Sequence, residues 1–479
     1  MSNTPLEALQ PLLQKQRDAF NAAGFPSAEV RRDRMTRLMK MLKKYETAFS
    51  QALNEDFGTR PDVWSRFSEV VAAVANIQQC IDGVESWMQD ETCAPLEPFR
   101  SGGAKGLAVY QPKGVVGIIG PWNFPIHLVV VPAANAMAAG NRVIIKPSEI
   151  TPRSSEVLLQ GIAEFFDETE VSVVTGDVSL ASAFASLPFD HLMFTGSTPV
   201  GKIIMRAAAE NLVPVTLELG GKSPVIIRPD TDLLRTCRRI VAAKVSNAGQ
   251  WCVAPDYIYV PDGLMDDFIE GCRTAFAELF PTVEKNLEYT SVVNENHYSR
   301  LTRMVDDAYE RGYRVVEFNP AGESYDQAVN RKMLLKCIVD PAWDSVVMGE
   351  EIFGPILALL SYENYADVIG AIKVGPRPLA LYYFGENEAE QEAIVRETIS
   401  GGLAINDCCW HTCSDEMPIG GVGSSGMGHY HSIYGFREFS HLRAVLVQTP
   451  NEEVSSFFYP PYTEALEGVM GEIMGGIDS

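Results

Sequence analysis

The chain has no apolar run approaching the roughly 18 residues that a membrane-spanning helix needs, so no transmembrane segment is expected. Its first residues, MSNTPLEALQPLLQKQRDAF, lack the basic start and apolar core of a secretory leader. Positive charge is also short. There are 39 Lys and Arg against 62 Asp and Glu, a formal net charge of -23. Such a surface repels polyanions, so neither nucleic acid nor an anionic membrane is expected as a partner. Internal repeats and low-complexity segments are missing. A disulfide framework is not expected either: the cysteines number nine, an odd count in a long chain without a leader, and this fits reduced thiols in the cytoplasm.

What is present is globular. The composition is 46% hydrophobic and 21% charged over 479 residues. That exceeds the size of one core and predicts about two or three domains. The N-terminal stretch reads as helices: Met35, Leu38, Leu42, Tyr45 and Phe49 recur at helical steps, as do Val70, Val74, Ile77 and Ile81. ETCAPLEPFRSGG then breaks the pattern, and AKGLAVYQPKG is predicted to be a short strand pair. From 114 to 217 the apolar runs GVVGIIG, RVIIK, VSVVTG, HLMFTG and VPVTLEL alternate with helical stretches. This predicts an α/β fold with a parallel sheet covered on both faces, which binds ligands beyond the carboxyl ends of its strands. A second alternating region runs from SPVIIRPD to ALYYFGENE.

Three stretches could hold a dinucleotide. GVGSSG at 421–426 has the G-x-G-x-x-G spacing, but it follows DEMPIG, which is not a strand, and no clear helix starts after it. It therefore reads as a flexible turn. HLMFTGSTPVGKIIMRAAAE is better placed: a strand leads into a turn bracketed by Gly196 and Gly201, then a helix. The free N–H groups of that helix start, with the Ser197 hydroxyl, can bind a phosphate, although the same residues equally suit an ordinary strand-to-helix turn. In RVIIKPSE, Lys146 and Glu149 lie just past a strand end. A carboxylate there accepts from ribose hydroxyls and repels a 2′-phosphate, favouring NAD over NADP; a solvated ion pair is the plainer alternative.

Among the cysteines only Cys252 sits in unusual company, in VSNAGQWCVAPDY. VTLELGGKSP places Glu218 between apolar residues at a strand end, where burial raises a carboxyl pKa toward that of a useful general base. IIGPWNFP places Asn123 in a frame of Pro121, Trp122 and Pro125, where a fixed amide can donate to a developing oxyanion. Each has an ordinary alternative: a carboxylate capping a strand, and an Asn stabilising a turn.

Taken together, GPWNFP, IKPSE, FTGST-x-x-G, LELGGKSP, NAGQ-x-C, EEIFGP and PIGGVGSSGMG resemble the aldehyde dehydrogenase superfamily in order and approximate spacing, from about Gly114 to Arg443. CVAPDY, SGMGHYH with FREFSH, and YPPY look most like its class 3 branch, and within that the bacterial coniferyl aldehyde dehydrogenases. The resemblance implies a Rossmann-type parallel-sheet NAD(P)-binding domain (1–95 and 112–217), an α/β catalytic domain (218–402), and a small β oligomerisation element with a tail (96–111 and 403–479). It also implies a cytoplasmic homodimer. Catalysis would fall to Cys252 as nucleophile, Glu218 as base for thioester hydrolysis, and Asn123 as oxyanion donor. Cofactor contacts would be Trp122, Lys146, Glu149, Gly196, Ser197, Thr198, Gly201, Glu351 and Phe353, with NAD as cofactor and NADP possible.

Trp251 departs from the threonine or isoleucine commoner before the nucleophile in this branch; its indole could stack on an aromatic aldehyde or narrow the pocket. INDCCWHTC matches the family's substrate-side loop, so Trp410 joins Trp251 as a substrate-lining candidate. Cys408, Cys409, His411 and Cys413 do not have a zinc spacing, and His429 and His431 suit surface or packing roles, so no metal is expected. The expected substrate is an aromatic aldehyde. The alternatives are a medium-chain aliphatic aldehyde dehydrogenase, a CoA-acylating relative and a catalytically silent structural member. Glu218 counts against the CoA-acylating relative, and retention of Cys252, Glu218 and Asn123 counts against the silent member.

Overall fold

Strands rich in Val, Ile and Leu with no polar face must be covered on both sides, and the chain folds accordingly. A computed structural model describes residues 3–324, 330–475 and 477. One sheet has six strands in the spatial order Gly426–Met427, Val215–Leu219, His191–Gly196, Val115–Ile119, Arg142–Lys146 and Val171–Val173. All pair in parallel except the short first one, which runs antiparallel to its neighbour. Helices His127–Ala138, Pro152–Phe165 and Ala28–Phe57 pack onto it. The last starts where the Ser27 side chain accepts from the Val30 amide, and it buries Met35, Leu38, Leu42 and Phe49 as the sequence spacing requires.

The second sheet has seven strands in the order Arg314–Glu317, Lys336–Val339, Ile356–Tyr362, Pro255–Pro261, Ser223–Ile227, Ala380–Phe384 and Gly402–Ile405, parallel apart from the first. The chain passes from one sheet to the other through Gly220, Gly221 and Lys222. The third sheet is small and antiparallel: Glu91–Cys93, Lys105–Pro112 and Ser440–Val447. AKGLAVYQPKG is therefore one strand and not a pair; its partners come from both sides of the sequence, and local pattern could not reveal them. Among the described residues no helix is long and apolar enough to cross a membrane.

A buried ion pair ties the N-terminal helices to the first sheet. A π-turn over Arg66–Val71 re-aims the chain so that Glu69 points inward. Arg60 Nη2 lies 2.9 Å from Glu69 Oε1, with both side chains shut off from solvent. The contact is a close ion pair and not an aligned hydrogen bond, since Glu69 Oε1 lacks an in-line donor. The other oxygen, Oε2, accepts from the amides of Ile126 (3.0 Å) and His127 (2.9 Å), and Arg60 Nη1 donates to the Asn123 carbonyl at 3.0 Å. The guanidinium also rests over Phe57 and Phe124, 4.8 and 5.2 Å from their ring centres. The loop 121–127 is thus fixed by charge on both of its backbone faces. Removing one member of such a pair strands the other without water. Glu69→Ala is expected to lower stability by about 3–5 kcal/mol, read as a lowered urea midpoint. A loss below about 1 kcal/mol would show that the pair does not hold the loop.

Candidate active site

Three backbone segments converge where the two parallel sheets meet. The helix Leu233–Val245 ends in a turn whose residues Asn247, Ala248 and Gly249 have φ of 50°, 54° and 72°. Left-handed backbone is unfavourable for Asn and more so for Ala, so the surroundings must hold it. Asn247 Nδ2 donates to the carbonyls of Gln250 (3.1 Å) and Asn123 (3.3 Å). Gln250 Nε2 donates to the carbonyls of Asn247 (2.9 Å) and Ser291 (3.1 Å), while its Oε1 accepts from the Val293 amide at 2.9 Å. At Gly249 any Cβ would lie 2.4 Å from the Gly354 carbonyl, so only glycine fits. This turn delivers Trp251 and Cys252 to the seam.

The carboxyl-terminal end of the Val215–Leu219 strand supplies the second group. Cys252 Sγ lies 3.7 Å from Glu218 Oε1. The other carboxylate oxygen, Oε2, accepts a short hydrogen bond from the Tyr430 hydroxyl and a longer one of 3.5 Å from Thr195 Oγ1. The third group comes from the loop after Val115–Ile119: Asn123 Nδ2 donates to the Gln250 carbonyl at 3.2 Å, so its amide lies against the Cys252 turn. Glu218 and Asn123 are each 3% exposed, whereas Cys252 is half-buried, so the sulfur is the member of the group that a small molecule can meet.

Electrostatics follows from that burial. Desolvation raises the Glu218 carboxyl above its ordinary range, against the lowering effect of its bonds to Tyr430, Cys252 and Thr195. Desolvation, then the neighbouring Glu218 and Glu351 carboxylates, push the Cys252 thiol well above its ordinary value. The resting pair therefore holds a protonated thiol beside a strengthened base, an arrangement suited to moving a proton from sulfur to oxygen when an electrophile arrives.

Glu351 and Phe353 reach the same region on a loop held from outside. Asp256 accepts from the Ile352 amide (2.8 Å), and Arg300 donates to the carbonyls of Glu351 (3.0 Å) and Ile352 (2.7 Å). Burial pushes the Glu351 carboxyl up to about 8. Trp122 meets Phe353 edge-on at 5.3 Å. The remaining candidates lie along the carboxyl ends of the first sheet. Lys146 pairs with Glu149 at 2.6 Å, and Glu149 lines a second cavity with Pro147, Ser148, Thr175 and Gly176. The helix Thr198–Ala209 follows the His191–Gly196 strand, and the Ser197 side chain makes no cap bond to it. A Cβ at Gly201 would sit 2.6 Å from Leu219, so the helix start is drawn close to the sheet. A helix amino end with an unused cap hydroxyl fits a phosphate, and a polar slot holding a carboxylate fits a ribose.

Cys252 opens onto a cavity of about 870 Å³, its mouth included. Trp251 lines it and meets Trp64 and Phe124 edge-on at 6.2 and 5.6 Å. Trp410 does not line it. That indole is 48% exposed, and the next residues of its turn, His411, Thr412 and Cys413, face the cavity in its place. Sequence reasoning missed Tyr430, although SGMGHYH carried it in view: nothing local marks a tyrosine as the partner of a carboxylate 212 residues away. GVGSSG, set aside as a turn, forms one, and its Gly426 pairs with Glu218. His431 is buried against the cavity and is not a surface residue; His429 is exposed.

Comparison with known proteins places this arrangement. The profile of the aldehyde dehydrogenase family matches residues 6–445. The coniferyl aldehyde dehydrogenase of a Pseudomonas species is 42% identical, over 98% of this chain and 96% of its own length. A probable coniferyl aldehyde dehydrogenase of Caulobacter vibrioides is 43% identical, over 96% and 95%. Among solved structures, the substrate-bound state of Staphylococcus aureus AldH superposes with a TM-score of 0.91 at 34% identity, covering 98% of this chain and all of that one (100%). The chain belongs to the aldehyde dehydrogenase family and is an oxidoreductase that acts on aldehydes.

Proposed function

We propose that the chain oxidises an aromatic aldehyde of the coniferyl aldehyde type to its carboxylic acid, through a covalent intermediate on Cys252. The observation that carries this reading is the Cys252 sulfur 3.7 Å from a buried carboxylate on the floor of an aromatic-lined cavity. The likeness to coniferyl aldehyde dehydrogenases supports the substrate class.

Aldehyde dehydrogenases use NAD or NADP, which when bound accepts hydride. In this chain Gly196, Ser197, Thr198 and Gly201 would hold the phosphates, and Lys146 and Glu149 the adenosine ribose. Trp122, Glu351 and Phe353 would hold the nicotinamide end. The Glu149 carboxylate disfavours a 2′-phosphate, which favours NAD. Cys252 attacks the carbonyl carbon as its proton leaves toward Glu218, giving a thiohemiacetal. The Asn123 amide and the Cys252 backbone N–H hold the oxyanion; one such donor contributes about 10²–10³ in rate. Once the carbon is oxidised to the thioester and Glu218 has passed the first proton to solvent, Glu218 takes a proton from water, the water oxygen bonds to the acyl carbon, and the C–S bond breaks; the leaving sulfur recovers that proton, which frees the acid and the thiol. Tyr430 and Thr195 keep the carboxylate aimed during both steps. The exposed edge strand Ser440–Val447, with Leu442, Leu446 and Val447 half in solvent, suits pairing with a second copy in a cytoplasmic homodimer.

Cys252→Ala is expected to abolish NADH formation while NAD titration still shows binding; retained turnover would refute the nucleophile. Glu218→Gln is expected to slow the first turnover, where the thiol loses its proton acceptor, and to slow hydrolysis more, so that a burst of one NADH per site precedes steady turnover lowered by about 10²-fold or more. Unchanged steady turnover would remove Glu218 from hydrolysis. Because its pKa is raised, the Cys252 thiol is neutral at pH 7 and gains reactivity only as pH rises. Alkylation of its peptide by iodoacetamide, followed by mass spectrometry, should climb about tenfold per pH unit to beyond pH 9. A plateau near neutrality would contradict the assigned electrostatics.

A further inference from the structure

The cavity above Cys252 contains more unused hydrogen-bonding capacity than its apolar walls explain. His431 is 1% exposed and lines the cavity, yet neither of its ring nitrogens has a partner among the described residues. His127 and His411 line it too, and Nδ1 of each is likewise unpartnered, as is the Trp64 indole nitrogen. Burial pushes His431 down to about 3 and His127 and His411 down to about 4. All three rings are therefore neutral, each with one N–H donor and one acceptor.

These residues are also held where they are at a cost. His431 and Ser432 have φ of 79° and 47°. The His431 amide donates to Asn135 Oδ1 at 3.0 Å, and the His127 amide donates to Glu69. The two rings face each other edge-on with centres 6.3 Å apart. Backbone strain and buried unpaired nitrogens in one wall indicate a wall shaped for an occupant.

The occupant's chemistry follows from the lining. Trp64, Phe124 and Trp251 suit a flat apolar body. Among the described residues no lysine or arginine lines the cavity, and Asp415 does, so an anionic tail is disfavoured. A plain alkyl chain would leave every imidazole unpaired. A hydroxyl can donate and accept at once, as a pair of neutral imidazoles requires.

We infer that His127 and His431 recognise a hydroxyl group on the ring of an aromatic aldehyde, and so select phenolic aldehydes over unsubstituted or aliphatic ones. This rests on the aldehyde-oxidising reading above and names the feature of the substrate that the pocket selects. A site built to bond a hydroxyl discriminates strongly against the analogue lacking it, whereas an apolar pocket does not.

The test compares kcat/KM for 4-hydroxycinnamaldehyde and cinnamaldehyde in the native enzyme, His127→Phe and His431→Phe. Intrinsic reactivity of the two aldehydes is common to all three proteins, so the change in their ratio is the readout. The ratio is expected to fall by at least about tenfold in either variant. A ratio unchanged from native in the folded variants overturns the inference. If His431→Phe fails to fold at its left-handed position, His127→Phe decides alone, since its backbone bond to Glu69 does not involve the ring. Native enzyme that forms NADH from neither of these aldehydes, nor from an aliphatic one, would instead overturn the oxidising reading.

Discussion

A carboxylate kept out of water is costly unless its oxygens find donors, and at the seam between the two parallel sheets Glu218 is kept almost wholly out of water. Tyr430, Thr195 and the Cys252 thiol meet that need, and each comes from a different part of the chain. The strand that carries Glu218, the turn that carries Cys252 and the late turn that carries Tyr430 must therefore be in register before the site exists. The neighbouring ion pair of Arg60 and Glu69 does the same for the loop holding Asn123, by neutralising charge where solvent cannot reach.

The strained turn at Asn247 and Ala248 follows from the same constraint. A helix entering directly into the Pro255–Pro261 strand would leave the cysteine wherever helical geometry put it. The left-handed run turns the chain sharply, and Asn247 and Gln250 hold it there with side-chain bonds to backbone. The unfavourable torsions are offset by bonds that exist only in the folded protein, so the position of the sulfur is fixed before any substrate arrives.

Much of this was legible in advance. RVIIK and HLMFTG appear as the strands Arg142–Lys146 and His191–Gly196, because fully apolar runs bounded by turn residues have few other solutions. The closeness of Cys252 and Glu218 was readable from two short motifs together with a family likeness. The strand Lys105–Pro112 was misread as a pair because one of its partners, Ser440–Val447, comes from the far end of the chain. Trp410 was expected at the substrate because its segment matches the family's substrate-side loop, but a short 3₁₀ turn puts its smaller neighbours against the cavity. Tyr430 and the imidazoles of His127 and His431 were hidden for a common reason. Their roles depend on which distant surfaces fold against each other, and neither periodicity nor spacing encodes that.

The bond between Tyr430 and Glu218 spans 212 residues and gives the site a history as well as a shape. A ribosome releases the cysteine and the glutamate long before it has made the tyrosine, the Ile419–Tyr430 bridge or the Ser432–Glu438 helix. During that interval the five parallel strands of the first sheet can form, since domains tend to fold in the order they emerge. Its carboxylate still lacks the Tyr430 hydroxyl, and the wall beside the sulfur is still missing. The enzyme is thus assembled from its scaffold toward its reactive centre, and a nascent chain cut short of its last glycine-rich turn carries the nucleophile without the chamber that puts it to use.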